Sequence, residues 1–256
     1  MTLDLAVVMP VYNEEECIVT VVGSWLSALA ELGMRFQIIV LNDGSSDRTQ
    51  EGLCSFRHDD RVAVINKKNS GHGPTILMGY QKAVRLADWT FKCVSDDEMK
   101  PDSFRVLWGN RTGFDALFGV RTERSQNLGR RFLSACTRAM VQVLCGKGVT
   151  DVNTPYRLIR SRILAQMIDH VPVNAFAPNV IISGIICKLG LRTFEVPVLH
   201  ENRRTGKVSI VKWKLWKSAA TAFWQTLLCW ATIRDMVYRS PKRSCHTDSG
   251  KGSVRV

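Results

Sequence analysis

An α/β fold with a mostly parallel sheet and flanking helices is predicted by three features of the sequence. Short apolar runs rich in β-branched residues alternate with stretches of helical spacing. The runs show no polar alternation, which is the pattern of strands buried on both faces. Polar, glycine-containing or acidic clusters follow several of these runs directly, where a sheet of this type presents its ligand-binding edge.

The first strand is expected over 5–9, ended by Pro10. Ile18, Val21, Val22, Trp25, Leu26 and Leu29 recur at helical spacing, predicting a helix over 14–32 with Asn13 as its cap. Strands follow over 36–41, 61–65 and 89–94. Between them lie a short helix over 47–56, capped by Asp47, and a second helix over 74–86. A fifth strand is expected over 114–120 and a helix with arginines at its start over 128–144. The segment 151–159 reads as a turn and strand. Helices over 163–170 and 177–189 and a late strand over 192–198 complete the pattern.

The chain of 256 residues carries a net charge of +12, which favours an anionic partner. No zinc-like spacing, RNP motif or basic aromatic sheet points to nucleic acid. Its 8 cysteines are scattered, without a C-x-x-C pair. Most lie in apolar runs, so reduced thiols in a reducing compartment are expected. No basic leader with a long apolar run precedes the first strand, so the expected location is cytoplasmic. Lys207, Lys212, Lys214 and Lys217 surround Trp213 and Trp216, and residues 218–233 then carry no formal charge. That uncharged run is shorter than the ~20 residues needed to cross a bilayer. A C-terminal amphipathic helix lying at the inner face of the membrane is the expectation. The expected organisation is a catalytic domain over 1–210, a membrane-interface segment over 211–239 and a disordered tail over 240–256.

Five clusters carry the chemistry. Pro10, Tyr12 and Glu14 follow the first strand. Asp43 follows the second and is placed to accept bonds from a base or ribose; Gly44 suits a turn with positive φ. Gly71 and Gly73 open a helix and suit close approach to a phosphate. Ser95, Asp96, Asp97 and Glu98 follow the fourth strand; crowded carboxylates repel unless a cation joins them, and oxygen ligands suit Mg²⁺ or Mn²⁺. Arg121, Arg124, Arg130, Arg131, Arg157, Arg203 and Arg204 supply phosphate-matching donors. Taken singly, each of these arginines reads as a solvated surface charge.

The ordered series VVMPVYNEEE, VLNDGSSDRT, NSGHGPTILMGYQKA, SDDEM, GVRTER, DVNTPYRLIR and EVPVLHENRRTGKVS resembles the family 2 glycosyltransferases of GT-A fold. The branch it resembles is that of the polyprenyl-phosphate glycosyltransferases, which includes the dolichol-phosphate mannose synthases. The resemblance implies that Pro10, Tyr12, Glu14 and Asp43 bind the nucleoside of a nucleotide-sugar. Gly71, Ser95, Arg203 and Arg204 belong to the same donor site. Asp96 and Asp97 hold Mg²⁺ or Mn²⁺ at the diphosphate and carry catalysis. Arg121, Arg130 and Ser134 face an acceptor phosphate. The implied activity is inverting transfer from a GDP- or UDP-sugar to a polyprenyl phosphate. A soluble or glycan hydroxyl acceptor and a non-catalytic nucleotide-sugar-binding protein are the alternatives. One departure stands out: aligned through Pro101 and Asp96, the first aspartate of the family's Asp-x-Asp motif falls on Val94.

Overall fold

The computed structural model describes residues 2–121, 138, 139, 141–143, 146, 148–199 and 224. Its strands are β1 (Leu3–Val11), β2 (Phe36–Asn42), β3 (Val62–Asn66), β4 (Ala87–Lys92), β5 (Ala116–Arg121), β6 (Arg157–Arg160) and β7 (Thr193–Val198). Its labelled helices are α1 (Ile18–Ala30), α2 (Thr49–Leu53), α3 (His72–Leu86), α4 (Phe104–Asn110), α5 (Ser161–Ile168) and α6 (Pro178–Lys188). The strands form one sheet in the order β3-β2-β1-β4-β6-β5-β7.

Strands β3, β2, β1 and β4 run parallel, as expected. β6 inserts antiparallel between β4 and β5, which the sequence did not announce. β7 returns parallel to β5. The chain crosses from β1 outward to β2 and β3, then back to β4 on the other side of β1. A crevice therefore opens at the carboxyl ends of β1 and β4, the topological switch point of this sheet.

Both faces of the sheet are covered by apolar side chains. On one face Trp25 of α1, Phe91 of β4, Phe104 of α4 and Tyr156 form a ring cluster. The Phe91–Phe104 centroids lie 4.7 Å apart and those of Phe91–Tyr156 4.8 Å apart, both edge-on, the favoured aromatic geometry. On the other face Ala6, Val8, Leu41 and Phe118 meet α3, α5 and α6. The apolar stripe read for the first helix is buried as read, from Ile18 to Leu29.

Two local expectations are corrected. The first helix begins at Ile18, behind a turn that contains Glu14–Glu16. Asn13 does not cap it: its φ is 54°, and its Oδ1 accepts the Ser46 amide at 2.9 Å. The competing bond across to the β2 loop outweighs the cap. Arg157, read as a surface charge, is wholly buried. Its guanidinium donates to the carbonyls of Val152, Thr154 and Asn179, so the charge is solvated by backbone dipoles.

Helix α3 lies close over β1 and β2 because Gly79 lacks a side chain. A Cβ there would meet Val8 Cγ1 at 2.3 Å and Leu41 Cδ1 at 3.0 Å. At Gly23, within α1, a Cβ would meet nothing within 4 Å. The two Gly→Ala changes should therefore differ in sign. Gly79→Ala overpacks the sheet and should destabilise by about 1–3 kcal/mol. Gly23→Ala gains helix propensity and should stabilise by about 0.5–1 kcal/mol. Urea denaturation of the two variants checks both.

Candidate functional site at the carboxyl edge of the sheet

The residues after β1, β2, β3 and β4 are sewn to one another. Asp43 N–H donates to Val11 O, Lys67 N–H to Asn42 O, and Cys93 N–H to Val8 O, so the parallel pairing extends past the strand ends. Side chains continue the stitching. Asn13 N–H donates to Ser45 Oγ at 3.0 Å and Glu14 N–H to Thr49 Oγ1 at 2.8 Å. Asn42 Nδ2 donates to Asn66 Oδ1 at 2.9 Å. Ser95 Oγ donates to Pro10 O at 3.0 Å, and Cys17 Sγ–H to Ser95 O at 3.3 Å. Asp47 Oδ1 takes the Thr49 amide at 3.0 Å, tying down the start of α2 although the cap position itself is Arg48.

This stitching brings Pro10, Tyr12, Glu14, Asp43, Gly71, Ser95, Asp96 and Asp97 to one edge. Pro10, Glu14, Asp43 and Ser95 are buried; Tyr12 is exposed; Gly71, Asp96 and Asp97 are half-buried. Arg130, Ser134, Arg203 and Arg204 lie outside the described residues, as does the 211–239 segment apart from Trp224. Among the described residues no helix is long and apolar enough to cross a membrane.

Asp43 is engaged through both carboxylate oxygens. Oδ1 accepts the Lys67 ammonium and the Ser70 amide (2.9 Å), while Oδ2 accepts the Gly71 amide (3.0 Å). The Lys67 ammonium also reaches Lys68 O, Ser70 Oγ and Thr75 Oγ1. The Asp43–Lys67 pair is nearly sealed, with side chains 6% and 11% exposed. It holds the loop over residues 67–71 across the end of β2. Gly71 sits in that loop at φ 94°, a conformation open to glycine, and caps α3. Gly73 packs so tightly that a Cβ would lie 1.8 Å from Ala175 O. These glycines thus set backbone positions at the edge of the cleft. His72 opens α3 with its side chain exposed.

The acidic turn after β4 is a tight one. Asp97 has φ 58°, and Asp96 Oδ1 accepts the Glu98 amide at 3.3 Å. Two adjacent carboxylates with an incoming diphosphate make an all-oxygen donor set, which suits Mg²⁺ or Mn²⁺. Among the described residues, no three His, Cys, Asp or Glu side chains gather as a complete metal cage. Val94 packs against the apolar cluster of the α1 face.

Arg121, at the end of β5, forms a two-pronged pair with buried Asp151: Nε to Oδ2 at 2.8 Å and Nη2 to Oδ1 at 3.0 Å. That pair uses two of the five guanidinium N–H donors. The orientation of Arg121 is thus fixed before any ligand binds. Lys67, Asn42 and Asp151 were not singled out from sequence, because single polar residues beside strands carry no local signature.

One further residue escaped the sequence reading. Lys92 ends β4, is 1% exposed, and stands opposite Arg157 across the ladder. Burial, and then the Arg157 charge, lower its pKa to about 7.

Residues 6–168 match the model of glycosyl transferase family 2, and the chain belongs to that family. It is 30% identical over 215 residues to an undecaprenyl-phosphate 4-deoxy-4-formamido-L-arabinose transferase of Pectobacterium carotovorum, covering 82% of this chain and 64% of that protein. A transferase of the same name from Pseudomonas aeruginosa is 29% identical over 207 residues, covering 79% and 59%. The chain thus spans about three fifths of the length of the curated relatives it matches. Among solved structures, glucosyl-3-phosphoglycerate synthase of Mycobacterium tuberculosis, crystallised with Mn²⁺, UDP-glucose and phosphoglyceric acid, superposes with a TM-score of 0.64. That match has 16% identity and covers 90% of this chain and 80% of the other. The GT-A fold expected from the sequence is the fold observed.

Two outcomes follow from these charges. Asp43→Ala strands a buried ammonium and should lower stability by about 3–5 kcal/mol, with faster hydrogen exchange at the Ser70 and Gly71 amides. For Lys92 the sign runs with pH. Its folded-state pKa lies below the ordinary 10.5. Between about pH 7 and 10 the unfolded chain therefore binds a proton that the folded chain does not, and stability rises with pH. Urea denaturation across that window should show a rise in the wild type that Lys92→Met lacks.

Proposed function

We propose that this chain is the catalytic part of an inverting glycosyltransferase that moves a sugar from a nucleotide-diphosphate donor to a polyprenyl phosphate at the cytoplasmic face of a membrane. The observation that supports it most is the convergence of Pro10–Glu14, Asp43 and Ser95–Asp97 at the switch-point crevice. The similarity to undecaprenyl-phosphate sugar transferases supports the lipid phosphate as acceptor. The surplus of positive charge fits two anionic substrates and an anionic membrane surface.

In this reading the nucleoside lies over Pro10 and Tyr12, with Glu14 and Asp43 supplying acceptors at its rim. Asp43 has most of its lone-pair sites occupied, so its first task is to hold the 67–71 loop in place. Asp96 and Asp97 hold a divalent cation, Mg²⁺ or Mn²⁺, which when bound offsets the charge growing on the departing diphosphate. Arg203 and Arg204 approach the donor phosphates; Arg121, Arg130 and Ser134 orient the acceptor. A phosphate oxygen of the acceptor attacks the anomeric carbon from the side opposite the leaving group. The new C–O bond forms as the old one breaks, and the nucleoside diphosphate leaves with the bonding pair. The acceptor is already an anion, so no proton need be removed and the work is positioning. With a hydroxyl acceptor Asp97 would be the candidate base.

A second reading, a nucleotide-sugar-binding protein without catalysis, is favoured by one observation: Val94 stands where the first aspartate of the family's metal motif falls. Radiolabelled UDP- and GDP-sugars, offered with Mn²⁺ or Mg²⁺ and undecaprenyl phosphate, separate the two. Transfer predicts label in the organic phase, reduced about 100-fold or more by Asp97→Asn and by chelation, since lost charge stabilisation costs on that order. Donor binding in a thermal-shift assay with no label transferred to lipid, and none released as free sugar, would establish the binding protein instead.

A further inference from the structure

The search ends on the positive charge beneath the acidic turn. Phe91 and Cys93 face the α1 side of the sheet, so Lys92 between them rises on the side covered by α3, α5 and α6. Its ladder neighbours are Val8 and Arg157. Among the described residues its Nζ makes no hydrogen bond and no ion pair. It is not sealed either. The side-chain nitrogen found both sealed and unpartnered among those residues is Arg138 Nε, which leaves the Lys92 tip in touch with solvent.

The charges around it do not balance. Arg157 and Arg121 repel the ammonium, and Asp96 attracts it. Asp151 is spent on Arg121, while Arg157 is met by carbonyl oxygens alone and a distant hydroxyl. Lys92 also lies within electrostatic reach of His72, which stands exposed at the mouth of α3. A cation buried without a partner is strongly disfavoured unless an anion reaches it. An uncompensated cation whose tip meets solvent at a ligand-binding edge is a site that awaits such an anion. Lysine serves as a point-charge binder of phosphate, needing no fixed donor fork.

We infer that Lys92 is a phosphate-binding residue of this enzyme, its ammonium donating to a phosphoryl oxygen of a bound substrate from beneath the acidic turn. The inference rests on the glycosyltransferase reading above. Two sources carry the same chemistry: the diphosphate of the donor and the monophosphate of the lipid. A lysine here supplies positive charge from within the sheet. Asp96 and Asp97 supply it only through a bound cation.

The test measures binding of UDP, GDP and farnesyl phosphate to the wild type and to Lys92→Met, which keeps the length and removes the charge. Lys92→Met should be at least as heat-stable as the unliganded wild type, because it relieves an unpaired buried charge. It should bind one class of probe about tenfold or more weaker, and the class that weakens names the source. Equal affinity of both proteins for every probe overturns the inference while leaving the glycosyltransferase reading intact. A wild type that binds none of the probes overturns both. Should Lys92→Met not fold, the ¹⁵Nζ resonance of Lys92 in the wild type replaces it. A shift on adding a phosphate probe supports the contact, and a resonance unmoved at saturation overturns it.

Discussion

Everything at the functional edge depends on the parallel register of β1 with its two neighbours. Val11 pairs with Asn42 on one side and Val8 with Lys92 on the other. These strands are buried on both faces, so a slip of one residue would exchange their two apolar clusters and is strongly disfavoured. The register therefore decides that Pro10, Asp43 and Ser95 emerge side by side. The loops cannot choose other positions, because Asp43 N–H and Cys93 N–H are still bonded to β1 carbonyls beyond the last regular pairs. A rigid frame of this kind lets short loops carry chemistry with little freedom of their own.

The second constraint is electrostatic. The chain crowds carboxylates at this edge and answers them with cations that are themselves fixed. Lys67 locks Asp43, and Asp151 locks Arg121. Beside these pairs lie the acidic turn after β4 and, within the sheet, Lys92 and Arg157. Charges held in place by the fold, rather than by mobile loops, are positioned before any substrate arrives. The same preparation has a cost in stability, since among the described residues neither Lys92 nor Arg157 has a carboxylate in contact.

Much of this fold was legible because its signals are local. Apolar runs from Leu5, Phe36 and Trp89 needed no partner to be read as strands, and Ile18 to Leu29 marked one helix face. The clusters after those strands identified the site, since parallel sheets bind at their carboxyl ends. What escaped depends on distant residues. β6 was readable as a strand, but its antiparallel insertion between β4 and β5 is a choice made by pairing, invisible in Arg157–Arg160 itself. Asn13 has the composition of a cap yet bonds Ser46, a competitor 33 positions away. Lys92 lies inside the strand expected over 89–94, and its position opposite Arg157 is visible only in the folded sheet.

Val94 shows how position changes the meaning of a motif. Placing the family's first aspartate there makes the metal site look one carboxylate short. In the fold, the Val94 side chain packs against the cluster that holds Phe91, Cys93 and Phe104. A carboxylate at that point would sit partly against apolar groups, at a cost in desolvation. Val94 is then a half-buried residue at the margin of the core, and the polar edge begins one residue later, at Ser95. Under the proposed function the turn offers Asp96 and Asp97 to a cation, with oxygens of the donor diphosphate among its other ligands. A shared ligand set of that kind would couple metal affinity to donor affinity. Lys92, whose ammonium is disfavoured by burial and by Arg157, would be drawn toward its charged form by a bound phosphate.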